Sequence, residues 1–505
     1  MTERSPNVLW IMSDQHHAAC WEGGGREDVQ TPNLKALAES GIVYERAYCN
    51  NPICGPSRAC FLTGQYAGNH GLTGNCVQGF QGEAKNNLAR SFRQSGYQTG
   101  IIGKAHLPKK WLGEGFEYQR LCDLADADPE DPRSVHYFKY LVEQGLADDF
   151  DLGGLPTDHP GASMRAFTSA IPYAHSVENW TGNEALHFLE QRDPKRPFFL
   201  QLSFQRPHDP YAPSEESMGQ YEACKLTLPP TADEVEVRRF EGKPKYQQDY
   251  VNGTQKGYPY VPNDSEDLKR QLAHYYTLIS VIDAQIGRIM DWLKAAGIEE
   301  ETIVVYHADH GDFAGEHGLM LKNLGIYEAI HRIPFILRYP GCHAGRESGM
   351  IESVDLFPTL CALAGLPLPA GLDGRCVAGV DAEFSKSVIC EWDWGKAPQS
   401  RVIAVRLEKY RFVYYMEAAD DGELYDLEQD PGEIHNLYDS SSMKQVREKM
   451  LQIALSHLLS GVRRLGIDHD RAIARLSPPG LTRRVFKHGV KWSSVCDSVM
   501  PSKSG

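Results

Sequence analysis

The chain has 505 residues, enough by length for two or three domains, or for one large α/β domain with a smaller companion. Hydrophobic residues make up 41% and charged residues 24%, ordinary globular proportions that exclude disordered, collagen-like and fibrous classes. Lys and Arg number 52 against 67 Asp and Glu; a formal charge of −15 speaks against general binding to nucleic acid or to an anionic membrane, so any anion must be handled locally.

The first predicted element is a buried strand at residues 8–12, followed at once by Ser13, Asp14 and Gln15. That apolar run is too short for a signal segment and lacks a small-residue cleavage site, and no later stretch reaches the length of a membrane span, so a cytoplasmic location is expected. The 12 cysteines form no CxxC pair, which in a reducing compartment leaves them free, buried or chemically special. Further strands are predicted at 99–102, 198–204, 303–307 and 335–338, with helical patterns between them. The clearest helix covers 265–296, where Leu268, Leu272, Tyr275, Ile279, Ile282 and Ile286 recur at three- and four-residue spacing. Such alternation predicts an α/β fold with a large, mostly parallel sheet sandwiched by helices. In sheets of this kind ligands sit outside the carboxyl ends of the strands, so polar residues that directly follow a strand are the first candidates for a site.

Residues 123–174 and 207–263 have weak periodicity and read as insertions over the sheet edge that shape a substrate pocket. After Gly365 comes a loop rich in Pro and Gly, then two runs at 402–407 and 410–415 that predict an antiparallel hairpin. The expected organisation is a catalytic domain at 1–375 and a smaller α+β domain with an antiparallel sheet at 376–505. From Ser441 onward 12 Lys and Arg face 4 Asp and Glu, giving a basic tail on an acidic body. The tail is expected to fold back on that body or on a sister subunit, and the sharper alternative is a basic interaction arm. A homo-oligomer packed through 446–492 is part of the same expectation.

The most informative segment runs Asn51-Pro52-Ile53-Cys54-Gly55-Pro56-Ser57-Arg58-Ala59-Cys60-Phe61-Leu62-Thr63-Gly64. Cys54 stands before Gly-Pro and a helix start, where backbone N–H groups and the helix dipole activate a thiolate or hold an anion, although an isolated cysteine is more often structural. The order Cys-x-Pro-Ser-Arg followed by Leu-Thr-Gly is the formylglycine signature, and with it the chain resembles the type I sulfatases of the alkaline phosphatase superfamily. The resemblance implies that a maturation enzyme oxidises Cys54 to an aldehyde whose hydrate is the nucleophile, and that the chain is a sulfuric ester hydrolase acting on a small sulfated substrate.

Asp14 and Gln15 follow one strand, and Asp309 and His310 follow another. Each pair alone would pass for helix capping, but together they resemble the two halves of the family's metal site, which implies Asp14, Gln15, Cys54, Asp309 and His310 around one divalent cation. Many relatives carry Asp and Asn where Gln15 and His310 stand here; the substitutions resemble those of some bacterial members and of phosphonate monoester hydrolases. Ca2+ is expected first, and the imidazole brings Mn2+ in second.

Gly103-Lys104-Ala105-His106 resembles the family's Gly-Lys-x-His element, Pro207-His208 its Pro-His, and Lys322 its lysine downstream of the second metal pair. These similarities imply catalytic roles for Cys54, Arg58, Lys104, His106, His208 and Lys322 and a substrate contact for Asn75, while His317 and Arg332 are expected, with the insertions, to contact the alcohol part of the substrate. Arg58, Lys104, Lys322 and the metal would neutralise the sulfuryl oxygens. One hydroxyl of the hydrate would attack sulfur, His208 with Lys322 would protonate the leaving oxygen, and His106 would take a proton from the second hydroxyl to expel sulfate. The resemblance runs from about Asn7 to Leu437. Two alternatives stand beside it: a phosphonate monoester or phosphodiester hydrolase with the same nucleophile, and a catalytically silent protein that binds sulfated ligands.

Overall fold

A strand apolar on both faces is stable only between two layers, and residues 8–12 are such a strand. In the computed structural model, which describes residues 5–464 apart from 76, 78–79, 81, 124–134, 151–165, 254–260, 323, 381, 394–400 and 419, it lies in the interior of the larger of two sheets. That sheet contains β1 (Asn7–Asp14), β2 (Ile42–Tyr48), β3 (Gln98–Gly103), β4 (Tyr118–Leu121), β5 (Phe198–Pro207), β6 (Thr302–Ala308), β7 (Arg332–Ile333), β8 (Phe335–Arg338) and β9 (Gly345–Glu352). Its order is β4-β3-β5-β1-β6-β8-β2-β7, with β9 also paired to β2. Along β1, Val8, Trp10 and Met12 enter one core with Phe61, Leu62 and Phe357, whereas Leu9 and Ile11 enter the opposite core with Ile282, Ile286 and Ile289. Period-two alternation between two apolar faces is the reason the run carries no polar residue.

The half from β4 to β6 is parallel throughout, as the βα alternation predicts. The other half is mixed: β8 runs antiparallel to both β6 and β2, and β7 antiparallel to β2. The cause is local. The chain leaves β6 at its carboxyl end and returns through β7 and β8 with no crossover helix spanning the sheet, so the adjacent strand must descend. Strands β2 and β9 have no counterpart in the sequence reading, since β2 contains Glu45 and Arg46 and β9 opens with exposed residues 345–348.

The predicted long helix is Ser265–Ala295, capped by Asp264, whose side chain accepts from the Asp267 amide. It packs on helix Val177–Gln191 and on helix Pro32–Ser40, whose first amides at Asn33 and Leu34 donate to buried Asp283. The second sheet, β10 (Val388–Asp393), β11 (Arg401–Arg406), β12 (Tyr410–Tyr415) and β13 (Glu423–Asp426), is antiparallel, and β11 and β12 are the predicted hairpin. Arg411 of β12 ties it to the segment between β6 and β7: fully buried, it contacts Glu328, Glu433 at 2.6 Å and His331 at 2.8 Å.

Helix Lys444–Arg464 lays Met450 and Ala454 into the core made by Ile389, Ile403 and Phe412, so the described part of the segment expected between subunits packs on its own chain's sheet. The rest of the basic tail, and parts of both insertions, lie outside the described residues. Among the described residues no helix is long and apolar enough to cross a membrane.

His457 docks that helix. Its Nε2 lies 2.6 Å from Glu391 Oε1, and its ring stands edge-on to Tyr66 at 4.6 Å. Burial lowers the imidazole pKa, but Glu391 outweighs it and the net shift is upward. A raised folded-state pKa gives stability that is complete below the unfolded value and fades as pH rises through the folded one. His457→Gln is therefore expected to cost roughly 1 to 2 kcal/mol at pH 6, by loss of a charge-assisted hydrogen bond, and much less at pH 9. Urea midpoints of both proteins at the two pH values check this, and an equal deficit at both would contradict it.

Candidate active site

Three chain segments meet at the carboxyl edge of the parallel half. β1 ends in Asp14, with Gln15 in the left-handed region at φ 65°; β6 is followed by Asp309 and His310; and the helix Cys54–Thr63 begins at Cys54 itself. All ten residues of that helix are buried. Its first turn has no conventional side-chain cap. Asn51 Oδ1 accepts from the Ile53 amide and Asn75 Oδ1 from the Gly55 amide, each at 2.9 Å, and Pro56 has no amide to satisfy. The helix ends at Gly64, φ 63°, where a Cβ would stand 2.7 Å from Leu372. The Leu-Thr-Gly element is thus a packed helix terminus, and Cys54, Ser57 and Arg58 are the helix residues that contact Asp14 or Asp309.

Asp14, Cys54, Asp309 and His310 place one donor atom each within 4.8 Å of one another, all buried. Cys54 Sγ is 3.7 Å from Asp14 Oδ1 and 3.2 Å from His310 Nε2. His310 Nδ1 lies 2.9 Å from the Gly311 carbonyl, which can only accept, so Nδ1 carries the hydrogen and Nε2 faces the cluster, as a metal ligand requires. Gln15 donates its amide nitrogen to Asp312 at 2.6 Å, and its Oε1 is buried without a hydrogen-bond partner among the described residues. Two carboxylates, an imidazole nitrogen, a sulfur and an orphaned amide oxygen are a donor set that fits a divalent cation.

Arg58 binds both carboxylates. Its Nε donates to Asp309 Oδ2 at 2.8 Å and its Nη2 to Asp14 Oδ2 at 3.2 Å; Nη1 donates to the Lys104 carbonyl and to Ser203 Oγ, each at 2.8 Å. Lys104 Nζ lies 2.5 Å from Asp14 Oδ2 and 3.2 Å from Asp123 Oδ2. Lys322 Nζ is 3.2 Å from Cys54 Sγ and 3.0 Å from His310 Nε2. Burial would raise the Cys54 thiol, but Lys104, Lys322 and His310 hold it well below its ordinary value. Burial and Cys54 push Asp14 up, and Lys104, His208 and Arg58 outweigh them to keep it ionised. Burial disfavours the charge on Lys104, yet Asp14, Cys54 and Asp123 hold its pKa well above normal.

His106 follows β3 at φ 48°. Its Nε2 is 3.4 Å from the Asn75 carbonyl, its Nδ1 is 3.7 Å from Asp123, and it also hydrogen-bonds with Cys54. Burial lowers its pKa, but these partners leave it raised. Gly103 is needed just before, because a Cβ at φ 96° would fall 1.8 Å from the Ser203 carbonyl. His208 stands after β5 with Nδ1 2.7 Å from the Asp209 carbonyl and its side chain 19% exposed. Asn75 is exposed and sits beside Cys54 through its bond to the Gly55 amide.

Two residues expected to touch substrate are not brought to this cluster. His317, at φ 58°, is turned inward against Glu234, with the Tyr327 ring tilted 45° to it at 4.4 Å and Phe240 and Phe313 around it. Arg332 lies on edge strand β7, 3.8 Å from Glu328 and bonded to the Glu45 carbonyl. Two residues that the sequence reading passed over do belong to it. Asp312 anchors Gln15 and Tyr211 and accepts the amides of Ala314 and Leu321; burial pushes it up to about 6. Asp123 pairs with Lys104 and His106. Asp312 had a visible signal, as the last residue of Asp309-His310-Gly311-Asp312, whereas Asp123 had none beyond its place after a strand.

Comparison with known proteins agrees with this arrangement. The sulfatase family model matches residues 6–366, and a model described as N-sulphoglucosamine sulphohydrolase, C-terminal, matches 315–459. An arylsulfatase of Clostridium perfringens is 29% identical, covering 90% of this chain and 94% of its own. A choline-sulfatase of Rhizobium meliloti is 28% identical, covering 86% and 83%. Among solved structures, a phosphonate monoester hydrolase from Silicibacter pomeroyi aligns with a TM-score of 0.75 at 25% identity, covering 90% of this chain and 96% of that one. A family match spanning more than two thirds of the chain, over the residues that build the cluster, settles the assignment: the chain belongs to the sulfatase family of the alkaline phosphatase superfamily and is a sulfuric ester hydrolase.

Proposed function

We propose that the chain hydrolyses a small sulfate monoester to sulfate and an alcohol, with Cys54 converted to formylglycine by a maturation enzyme and one divalent cation held by Asp14, Gln15, Cys54, Asp309 and His310. The observation that carries the proposal is the position of Cys54: at a buried helix start, within hydrogen-bond reach of Lys322 and His310 and surrounded by two carboxylates. The hydrated aldehyde would supply one hydroxyl as nucleophile and a second whose deprotonation expels sulfate, which a serine lacks, and the cation would draw charge from the sulfuryl oxygens.

The remaining work falls to side chains. Lys104 and Lys322 flank Cys54 and offer ammonium groups to the sulfuryl oxygens. Arg58 makes four donor contacts with the protein, so its share is mainly to orient Asp14 and Asp309. His208, whose Nδ1 is engaged by the Asp209 carbonyl, leaves Nε2 as the ring nitrogen that would act with Lys322 in protonating the leaving oxygen. A ring nitrogen of His106 accepts the proton that must leave the Cys54-derived group before sulfate departs.

Ca2+ is the first choice of cation because oxygen donors predominate, and Mn2+ the second because of His310. A phosphonate monoester or diester substrate is the second reading, supported by Gln15, His310 and the likeness to the Silicibacter enzyme. Lys104 and His106 favour sulfate. The same proposal includes a catalytic domain at 1–375, a second domain at 376–505, a cytoplasmic location and self-association.

Mass spectrometry of the tryptic peptide containing Cys54 should show formylglycine in active protein; full activity with an intact thiol would refute the nucleophile. Cys54→Ala should lower kcat/KM by roughly 10⁴-fold or more, and Cys54→Ser should leave a trapped or slow intermediate, so ordinary turnover in the Ser variant would contradict the mechanism. Arg58→Ala leaves two buried carboxylates without their counter-charge and should cost about 3 to 5 kcal/mol in metal-free protein, partly restored by excess divalent cation. A loss below about 1 kcal/mol in denaturant titration would show that Arg58 does not hold the site together.

A further inference from the structure

One charged group at the site belongs neither to the cation's donors nor to the proton-transfer residues. Asp123, two residues beyond the end of β4, puts Oδ2 3.2 Å from Lys104 Nζ and 3.7 Å from His106 Nδ1. Its side chain is 14% exposed, whereas those of Asp14 and Lys104 are 0% and 3% exposed, so it lies toward the solvent side of Lys104. Lys104 is shared between two carboxylates. Asp14 is engaged by Arg58 and belongs to the buried donor group, so among the described residues Asp123 is the carboxylate paired with the lysine that is not needed to hold a cation.

A fixed negative charge there has a calculable consequence. The interaction of a bound anion with it scales with the anion's own charge, so its cost for a dianion is twice that for a monoanion. Resting on the sulfate monoester reading, we infer that Asp123 is a charge filter, a specificity-determining residue that sets the site for singly charged esters and disfavours doubly charged phosphate monoesters. The cluster of Arg58, Lys104, Lys322 and a divalent cation would otherwise bind the more highly charged ester better. Because Asp123 stands beside Lys104, the filter works through the ammonium group that faces the anion and is partly screened by salt.

The test compares kcat/KM for para-nitrophenyl sulfate and para-nitrophenyl phenylphosphonate, both monoanions, with para-nitrophenyl phosphate, which carries about two charges at pH 8. Asp123→Asn should raise the dianion-to-monoanion ratio about tenfold, chiefly through KM of the phosphate ester, and less at high salt. Asp123→Glu, which keeps the charge, should stay near the parent ratio. The same ratio is read without turnover as calorimetric Kd values for phenyl phosphate and phenyl sulfate, and Asp123→Ser replaces the Asn variant if that variant fails to fold. Equal changes for all three esters, an unchanged ratio, or a Glu variant that behaves like Asn would overturn the inference. If the parent protein hydrolyses the phosphonate ester and not the sulfate, the sulfatase reading fails while the phosphate-to-phosphonate ratio still decides on Asp123.

Discussion

Two carboxylates that end adjacent parallel strands point at one buried place, and Arg58 makes that tolerable. Asp14 and Asp309 sit at the carboxyl ends of β1 and β6, which are paired in register, so the sheet itself fixes their approach. Left alone they would repel in a medium that solvates neither. One guanidinium, donating to both, converts the repulsion into a rigid acidic pair and leaves Oδ1 of each carboxylate near His310. A lysine could bridge two carboxylates, as Lys104 does for Asp14 and Asp123, but it would lack the planar fork that here also reaches the Lys104 carbonyl and Ser203. Arg58 lies one helical turn after Cys54, so the contact that holds the carboxylates also sets the position of Cys54.

This clamp explains how an acidic protein can act on an anion. The charge of −15 is the balance of an acidic body and a basic tail, whereas the site concentrates Arg58, Lys104 and Lys322 in a buried volume where charges act with little screening. Each of the three has a carboxylate, carbonyl or sulfur partner, so the cations are held in place before substrate arrives. Charges held in place in this way need little reorganisation when an anion binds, the feature from which preorganised sites gain most of their rate. The loop that carries Lys322 is fixed with equal care: Asp312 accepts the amides of Ala314 and Leu321, and Arg26 binds the Ala314 carbonyl and Glu316.

Much of this was legible because it is local. Strand ends followed by Asp, and a cysteine ahead of Gly-Pro, are short patterns whose meaning depends on a few neighbours, and 303–307 and 198–204 could be read as buried strands from composition alone. Other residues depend on partners far away in sequence. His317 is five residues before Lys322 and polar, yet Glu234 and Tyr327 draw it inward; nothing near it announces them. Arg332 follows a helix end and lands on an edge strand because β7 pairs with β2, a strand broken by Glu45 and Arg46 that reads as surface. Asp123 reached Lys104 only through the parallel pairing of β3 with β4, whose register places Gly103 opposite Leu121. The antiparallel pairings of β7 and β8 were hidden for the same reason.

The central claim, that the buried cluster around Cys54 acts on sulfate esters, is tested most directly by sulfate release. Protein with measured Cys54 conversion, loaded with Ca2+ or Mn2+, would be assayed for kcat/KM on a sulfate monoester and on the matched phenylphosphonate ester. The account predicts the higher value for the sulfate ester. A phosphonate preference of about tenfold or more, in the same preparation, would contradict it.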